Sequence, residues 1–134
     1  QGVCAGLIML SSSATNTKRP SQALLGSLDV AVERNHFGTQ LQSFQQPLSV
    51  ENIAQIPAAD PFHAVFIRAP VITSCGDGVN VIAHVDTPQG KAIVGVRQGL
   101  TIGTAFHPEL TRDDRFHRYF LALVEEYKAG KAAN

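Results

Sequence analysis

The sequence predicts an α/β fold, and three observations carry that prediction. Gly2-Val3-Cys4-Ala5-Gly6 has the pattern of a turn that joins a strand to a helix. Several later runs alternate apolar and polar residues and are rich in β-branched side chains, as half-buried strands are. The chain then closes on a stretch with apolar residues at helical spacing, Phe116, Phe120, Leu123, Val124 and Tyr127.

In order along the chain, the first element is the turn. It presents Cys4 where a hydrolase elbow presents serine, and such an elbow lifts its nucleophile clear of the sheet. The flanking Gly2 and Gly6 are expected to be small because backbone crowds the turn. Leu7-Ile8-Met9-Leu10 would form the following helix and pack its apolar side on the sheet. The helix N-terminus would bias Cys4 toward thiolate, and the backbone N–H of Ala5 is the natural oxyanion donor. By itself the pentapeptide more often marks a buried, inert cysteine in a Gly-flanked turn.

Ser11 to Ser21 reads as a polar surface loop. Leu28 to Arg34 reads as a strand, Asn35-His36-Phe37-Gly38 as a turn, and Gln40 to Phe44 as a returning strand. Pro47 to Pro61 is mostly connection. His63 to Arg68 is a strand that Pro70 ends. Cys75, before Gly76-Asp77-Gly78, reads as a turn thiol with no chemical role. Val79 to Val85 and Lys91 to Arg97 flank Thr87-Pro88-Gln89-Gly90 with the spacing of a hairpin. Leu100 to Phe106 leads to His107, so a base there would stand at a strand end, where α/β enzymes place chemistry. In the closing helix Thr111 is the expected N-cap, with Asp113 and Asp114 in the first turn and a frayed tail from Ala129 to Asn134.

A cysteine nucleophile needs a base, and the base needs an orienting group. His107 lies roughly a hundred residues beyond Cys4, a separation such sites allow. Glu109 follows two residues later. In extended chain that spacing puts both side chains on one face. A solvated loop histidine beside a solvated glutamate is the commoner arrangement for either residue alone. His36, His63, His84 and His117 have no acidic partner at the same spacing and read as surface or packing residues.

Four stretches together go further: Cys4 to Leu10, Leu25 to Asn35, Val65 to Pro70, and Phe106-His107-Pro108-Glu109-Leu110-Thr111. From Gly2 to about Lys128 the chain closely resembles the glutaminase subunits of pyridoxal 5′-phosphate synthase, a family of class I glutamine amidotransferases. The Cys-His-Glu set alone says only class I glutaminase; Glu33-Arg34-Asn35 and Phe66-Ile67-Arg68-Ala69-Pro70 narrow it. The resemblance implies a three-layer flavodoxin-like fold and hydrolysis of L-glutamine to glutamate and ammonia. It implies that Cys4, His107 and Glu109 are catalytic and that Arg34 and the Ile67-Arg68 pair line the glutamine site. It implies a (β/α)8 synthase subunit as partner, forming a hetero-oligomer that makes pyridoxal 5′-phosphate, and no metal or organic cofactor.

Members of that family carry further strands and helices ahead of the elbow, among them a Gly-Gly-Glu-Ser loop that supplies a second oxyanion donor. No stretch here matches it. The expectation is that residues 1–134 form the C-terminal portion of a single glutaminase domain and are inactive in isolation. A class I glutaminase of another pathway and a non-catalytic, partner-binding piece remain as alternatives.

Composition limits the other classes. The 134 residues amount to one domain at most. Apolar residues make up 44%, as a packed core requires. Eleven basic residues balance 11 acidic ones, and no basic stripe points to nucleic acid. No apolar run approaches membrane-spanning length. Two cysteines make no disulfide framework, and a nucleophilic thiol fits the reducing cytoplasm. Five histidines and two cysteines show no metal-ligand spacing.

Overall fold

The computed structural model describes residues 1–17, 22–37 and 43–132. Its element order begins with strand β1 (Gly2–Val3) and helix α1 (Ala5–Leu10), followed by β2 (Ser11–Thr15) and β3 (Leu28–Glu33). Next come β4 (Ser43–Pro47), β5 (Ser49–Val50), β6 (His63–Ile67) and β7 (Val71–Cys75). The chain finishes with β8 (Asn80–Thr87), β9 (Gly90–Gln98), β10 (Thr101–Thr104), a 3₁₀ turn (Pro108–Leu110) and helix α2 (Arg115–Ala132).

The main sheet runs in the order β1-β10-β9-β7-β3-β2, with β8 also on β9 and β5 on β8. β1 lies parallel to β10 and β2 parallel to β3; the other pairs are antiparallel. β4 and β6 form a separate two-stranded antiparallel sheet. This is a mixed α/β architecture built on a central sheet.

The start of the chain is packed by glycine. Gly2 and Gly103 face each other in the β1–β10 register. A Cβ on Gly2 would come within 2.7 Å of the Gly6 carbonyl, and one on Gly103 within 2.6 Å of Leu7. The pair lets α1 lie directly on the two strands and buries Leu7 completely. Gly6 differs from expectation: a Cβ there would meet nothing within 4 Å among the described residues.

Ser11–Thr15 is strand, not loop. Ser11 first ends α1, its hydroxyl donating to the Ile8 carbonyl at 2.7 Å. The polar residues that follow then pair with β3, Ser13 opposite Ala31 and Thr15 opposite Glu33. β2 is the outermost strand, so its backbone is satisfied on one side while Ser12 and Ser13 stay wet. Residues 18–21, the rest of the expected loop, lie outside the described residues.

The strand after the Asn35 turn is β4, and it pairs with β6, not back onto β3. Gln40, where that strand was expected to begin, lies outside the described residues. β7 was not anticipated, and Cys75 is its last residue, half-buried, not a turn thiol. The β8–β9 hairpin closes as its spacing predicts, Thr87 opposite Gly90. The Thr87 hydroxyl donates to the Gly90 carbonyl at 2.6 Å and accepts the Gln89 N–H.

α2 begins at Arg115, later than the expected Thr111. Thr111 instead closes the 3₁₀ turn. Asp113 precedes the helix and takes the Arg115 N–H at 3.1 Å. The helix continues through Ala132, where fraying was expected from Ala129. Its packed stripe is Phe116, Tyr119 and Leu123, with Phe120 and Val124 half-buried; Tyr127, assigned to that face by spacing, is 46% exposed.

One hydrophobic cluster joins these elements, from Leu7 to Leu123. An aromatic chain runs through it. Phe106 meets Phe62, Phe66 and Phe116 at 6.1, 5.9 and 5.1 Å between ring centroids, and Phe44 stacks on Phe66 at 4.6 Å. Phe106 immediately precedes His107, so the candidate base stands beside this aromatic chain. Burying a side chain of this size contributes about 2–3 kcal/mol. Among the described residues no helix is long and apolar enough to cross a membrane.

Candidate active site

Cys4 sits between β1 and α1 with φ 49° and ψ −101°. A side-chain-bearing residue rarely adopts a positive φ. Among the described residues five non-glycines do so, and three are Asn16, Asn35 and Asn52, which tolerate it. The other two are Cys4 and Arg68 (φ 43°). Backbone strain is therefore concentrated on two residues, and both line one cleft of about 450 Å³ with Ala5, Ile8, Arg34, Asn35, Ile67 and His107.

Strain needs anchors. The Cys4 N–H donates to the Thr104 carbonyl at 2.7 Å, and the Cys4 carbonyl accepts the Ile8 N–H at 3.2 Å. Opposite, β6 ends at Ile67, and the following Arg68 turns out of the strand at positive φ. The Cys4 thiol is directed at the Ile67 carbonyl, Sγ to O 3.9 Å.

Arg34 and Asn35 follow β3 in a turn that Glu33 organises. One Glu33 carboxylate oxygen accepts from Asn16 Nδ2 at 3.0 Å, and the other meets His36 Nδ1 at 2.7 Å. The Arg34 N–H is held by the Thr15 carbonyl at 3.2 Å.

His107 follows β10 in extended conformation (φ −106°, ψ 90°) and begins the 3₁₀ turn. Its N–H donates to the Val65 carbonyl of β6 at 2.8 Å. Glu109 lies on that turn, not on extended chain as expected, yet Oε1 reaches His107 Nδ1 at 2.6 Å. A tight turn brings residues two apart together as well as a strand face does. Pairing at Nδ1 leaves Nε2 as the nitrogen that serves a nucleophile, the arrangement of a base with its orienting carboxylate.

The electrostatics correct one expectation. Burial pushes the Cys4 thiol above its usual value, opposed by the hydrogen bond from the Ala5 N–H. The Glu109 charge pushes it up further, while Arg34 and Arg68 pull it down. The first amide of α1 does act in the expected direction, but α1 has six residues and burial outweighs it. Burial thus favours the thiol form of Cys4 over the thiolate.

All seven candidate residues thus converge: Cys4, Ala5, Arg34, Ile67, Arg68 and His107 line the cleft, and Glu109 holds the imidazole from the side. Sequence reasoning passed over Ile8, Asn35 and Thr104. Asn35 had a signal, as an asparagine in a turn beside Arg34. Thr104 had none, since its carbonyl meets the Cys4 N–H from a hundred residues away in sequence. The other histidines fall elsewhere; His84, for example, faces Glu51 at 3.6 Å. Among the described residues no group of three or more His, Cys, Asp or Glu is placed to hold a metal ion.

Comparison with known proteins places the geometry in context. The chain is 45% identical to the pyridoxal 5′-phosphate synthase subunit PdxT of Frankia alni, over 97% of this chain and 61% of the relative. It is 50% identical to the PdxT subunit of Leifsonia xyli, over 92% of this chain and 58% of the relative. A crystal structure of a glutamine amidotransferase superposes with a TM-score of 0.76 at 46% identity, covering 91% of this chain and 58% of the other. The chain spans about three fifths of the length of the curated relatives it matches. The SNO glutamine amidotransferase family matches residues 1–126. With the elbow, the imidazole–carboxylate pair and the glutamine amidotransferase fold in one continuous match, the chain belongs to the SNO glutamine amidotransferase family.

Proposed function

We propose that the protein carrying this chain hydrolyses the side-chain amide of L-glutamine and passes the ammonia to a pyridoxal 5′-phosphate synthase subunit. One observation carries the chemistry: Cys4 and His107 line a single cleft, with Glu109 bonded to His107 Nδ1 at 2.6 Å. The names of the similar proteins support the pathway. The (β/α)8 partner and the hetero-oligomer follow from the family resemblance. A cytoplasmic setting follows from the need for a reduced thiol.

Glutamine enters with its α-carboxylate toward Arg34 and Arg68, whose guanidinium groups offer forked donors. His107 Nε2 takes the Cys4 proton as sulfur attacks the amide carbon. The C=O π electrons move to oxygen, and the Ala5 N–H stabilises that oxyanion. The C–N bond breaks, ammonia leaves with the proton from His107, and a thioester remains. His107 then deprotonates water, which attacks the thioester; glutamate leaves and the proton returns to sulfur. Glu109 supports the imidazolium in both halves. Because burial favours the thiol over the thiolate, proton transfer and attack are coupled. We read residues 1–134 as a portion of one glutaminase domain, in keeping with the single hydrophobic cluster.

The test is ammonia release with glutamine. Cys4→Ala should lower it by about 10⁴-fold or more while the fold stays intact, because the covalent path itself is gone. A glutamine-analogue electrophile should label Cys4 and spare Cys75. Labelling at Cys75 with Cys4 untouched overturns the assignment.

A further inference from the structure

We propose that Thr104 is a positioning residue that sets the approach of the His107 imidazole to the Cys4 thiol. The proposal rests on the glutaminase reading and extends it to a residue outside the cleft.

Among the described residues only Ser11 and Thr104 are buried polar side chains. Ser11 ends a helix. Thr104 stands at the end of β10, fully buried, and serves both halves of the site. Its carbonyl accepts the Cys4 N–H at 2.7 Å, fixing the strained elbow. Its hydroxyl donates to the Phe106 carbonyl at 3.1 Å.

That carbonyl belongs to the peptide group joining Phe106 to His107. The N–H of the same peptide group donates to Val65 at 2.8 Å. The peptide plane is therefore gripped from both ends, by the Thr104 hydroxyl on its C=O and by β6 on its N–H. The plane fixes the backbone entering His107, and with it the direction of the ring. Glu109 orients the ring about its own bonds, but the seat of the ring is set here.

A valine has nearly the same shape and would bury no hydroxyl, so shape alone gives no reason for threonine at this position. The hydroxyl's structural distinction is its bond to the plane. Small displacements suffice: a shift of ~1 Å in a reacting group can cost ~10²-fold in rate.

The experiment compares Thr104→Val and Thr104→Ser in the purified protein with its synthase partner. It reads kcat and KM for glutamine, and separately the pH dependence of Cys4 alkylation by iodoacetamide. Thr104→Val should lower kcat by about 10-fold, within the range that misplacement produces, with KM for glutamine little changed. It should also slow alkylation near neutral pH, where the imidazole helps remove the thiol proton, and leave alkylation at high pH unaffected. Thr104→Ser, which keeps the hydroxyl, should restore both. If the valine variant does not fold, Ser against Ala makes the same comparison, since those two differ only by the hydroxyl. A valine variant with wild-type kcat and alkylation profile overturns the proposal. So does a serine variant as impaired as valine, which would assign the residue to packing. Absence of ammonia release from the wild type would refute the glutaminase reading, and the alkylation comparison would still decide the role of Thr104.

Discussion

The two arms of the site are held by different physics. The nucleophile arm, β1 to α1, is set by shape and anchored by one long-range bond: a positive φ at Cys4, glycine at position 2, a helix pressed onto two strands, and the Cys4 N–H on the Thr104 carbonyl. The base arm, β10 to the 3₁₀ turn, is relaxed in its backbone and held by hydrogen bonds to the Val65 carbonyl and the Glu109 carboxylate and by one from the Thr104 hydroxyl. A nucleophile must stand proud of the sheet at one point, which strain achieves. A base must move a proton in two directions, so its orientation is better fixed by partners that stay bonded in both protonation states.

Short of removing the nucleophile itself, the largest expected effect breaks the base arm. Glu109→Gln keeps the shape of the pair but loses the charge that supports the imidazolium and can favour the wrong tautomer. Ammonia release should fall by about 10²-fold or more, with stability nearly unchanged. Removing the Glu109 charge also removes one of the causes that raise the Cys4 pKa. The midpoint of Cys4 alkylation against pH should therefore move down, since the thiolate is then less opposed. An upward move would show that Glu109 acts on Cys4 mainly through the imidazolium.

The elbow should break differently. Gly2→Ala puts a Cβ within 2.7 Å of Gly6 backbone. Overpacking of that kind costs about 1–3 kcal/mol. The melting temperature should fall and activity with it, in proportion to the folded fraction. A stable Gly2→Ala protein would mean that α1 can lift from the strands without losing its place.

Arg68 tests whether strain and substrate binding are separable. Arg68→Ala and Arg68→Gly both remove the guanidinium, so both should raise KM for glutamine several-fold and leave kcat within a factor of a few. Only glycine relieves the positive φ, so Arg68→Gly should be the more stable by about 1 kcal/mol. Arg68→Lys should not restore KM, because an ammonium lacks the fork. Equal stability of the two variants would place the strain elsewhere in the turn.

The smallest effect lies behind the base arm. Hydrogen bonds from Arg115 hold the Asp113 carboxyl below the usual carboxylate range. A depressed folded pKa gives stability that is present above the unfolded value and is lost as pH falls through the folded one. Asp113→Asn should lower the melting temperature by a few degrees at pH 7, and the gap should close as pH falls through that range. A gap that persists in acid would assign the effect to the geometry of the helix start and not to charge.

The elements differ in how visible they were beforehand. Cys4 between glycines and His107 two residues before Glu109 were visible because the chemistry sits in short local patterns. The β8–β9 hairpin was visible because its turn residues and strand lengths are local too. β2 was hidden by its serines, since an edge strand can be polar when its neighbour supplies the hydrogen bonds. β7 was hidden because its pairing partners, β3 and β9, are distant in sequence. Tyr127 was misplaced because helical spacing marks a stripe without saying where the core beneath it ends.

By itself the sequence determined the chemical identity of the site: a thiol in an elbow, an imidazole with a carboxylate at hand, and two arginines that end strands. These follow from residue type and short spacing. Only the tertiary structure decided that burial favours the thiol form of Cys4, that strain falls on Cys4 and Arg68, and that Thr104 ties the nucleophile arm to the base arm. Each of these depends on the burial and long-range hydrogen bonds created when β1, β6 and β10 come together, and no local pattern encodes that meeting.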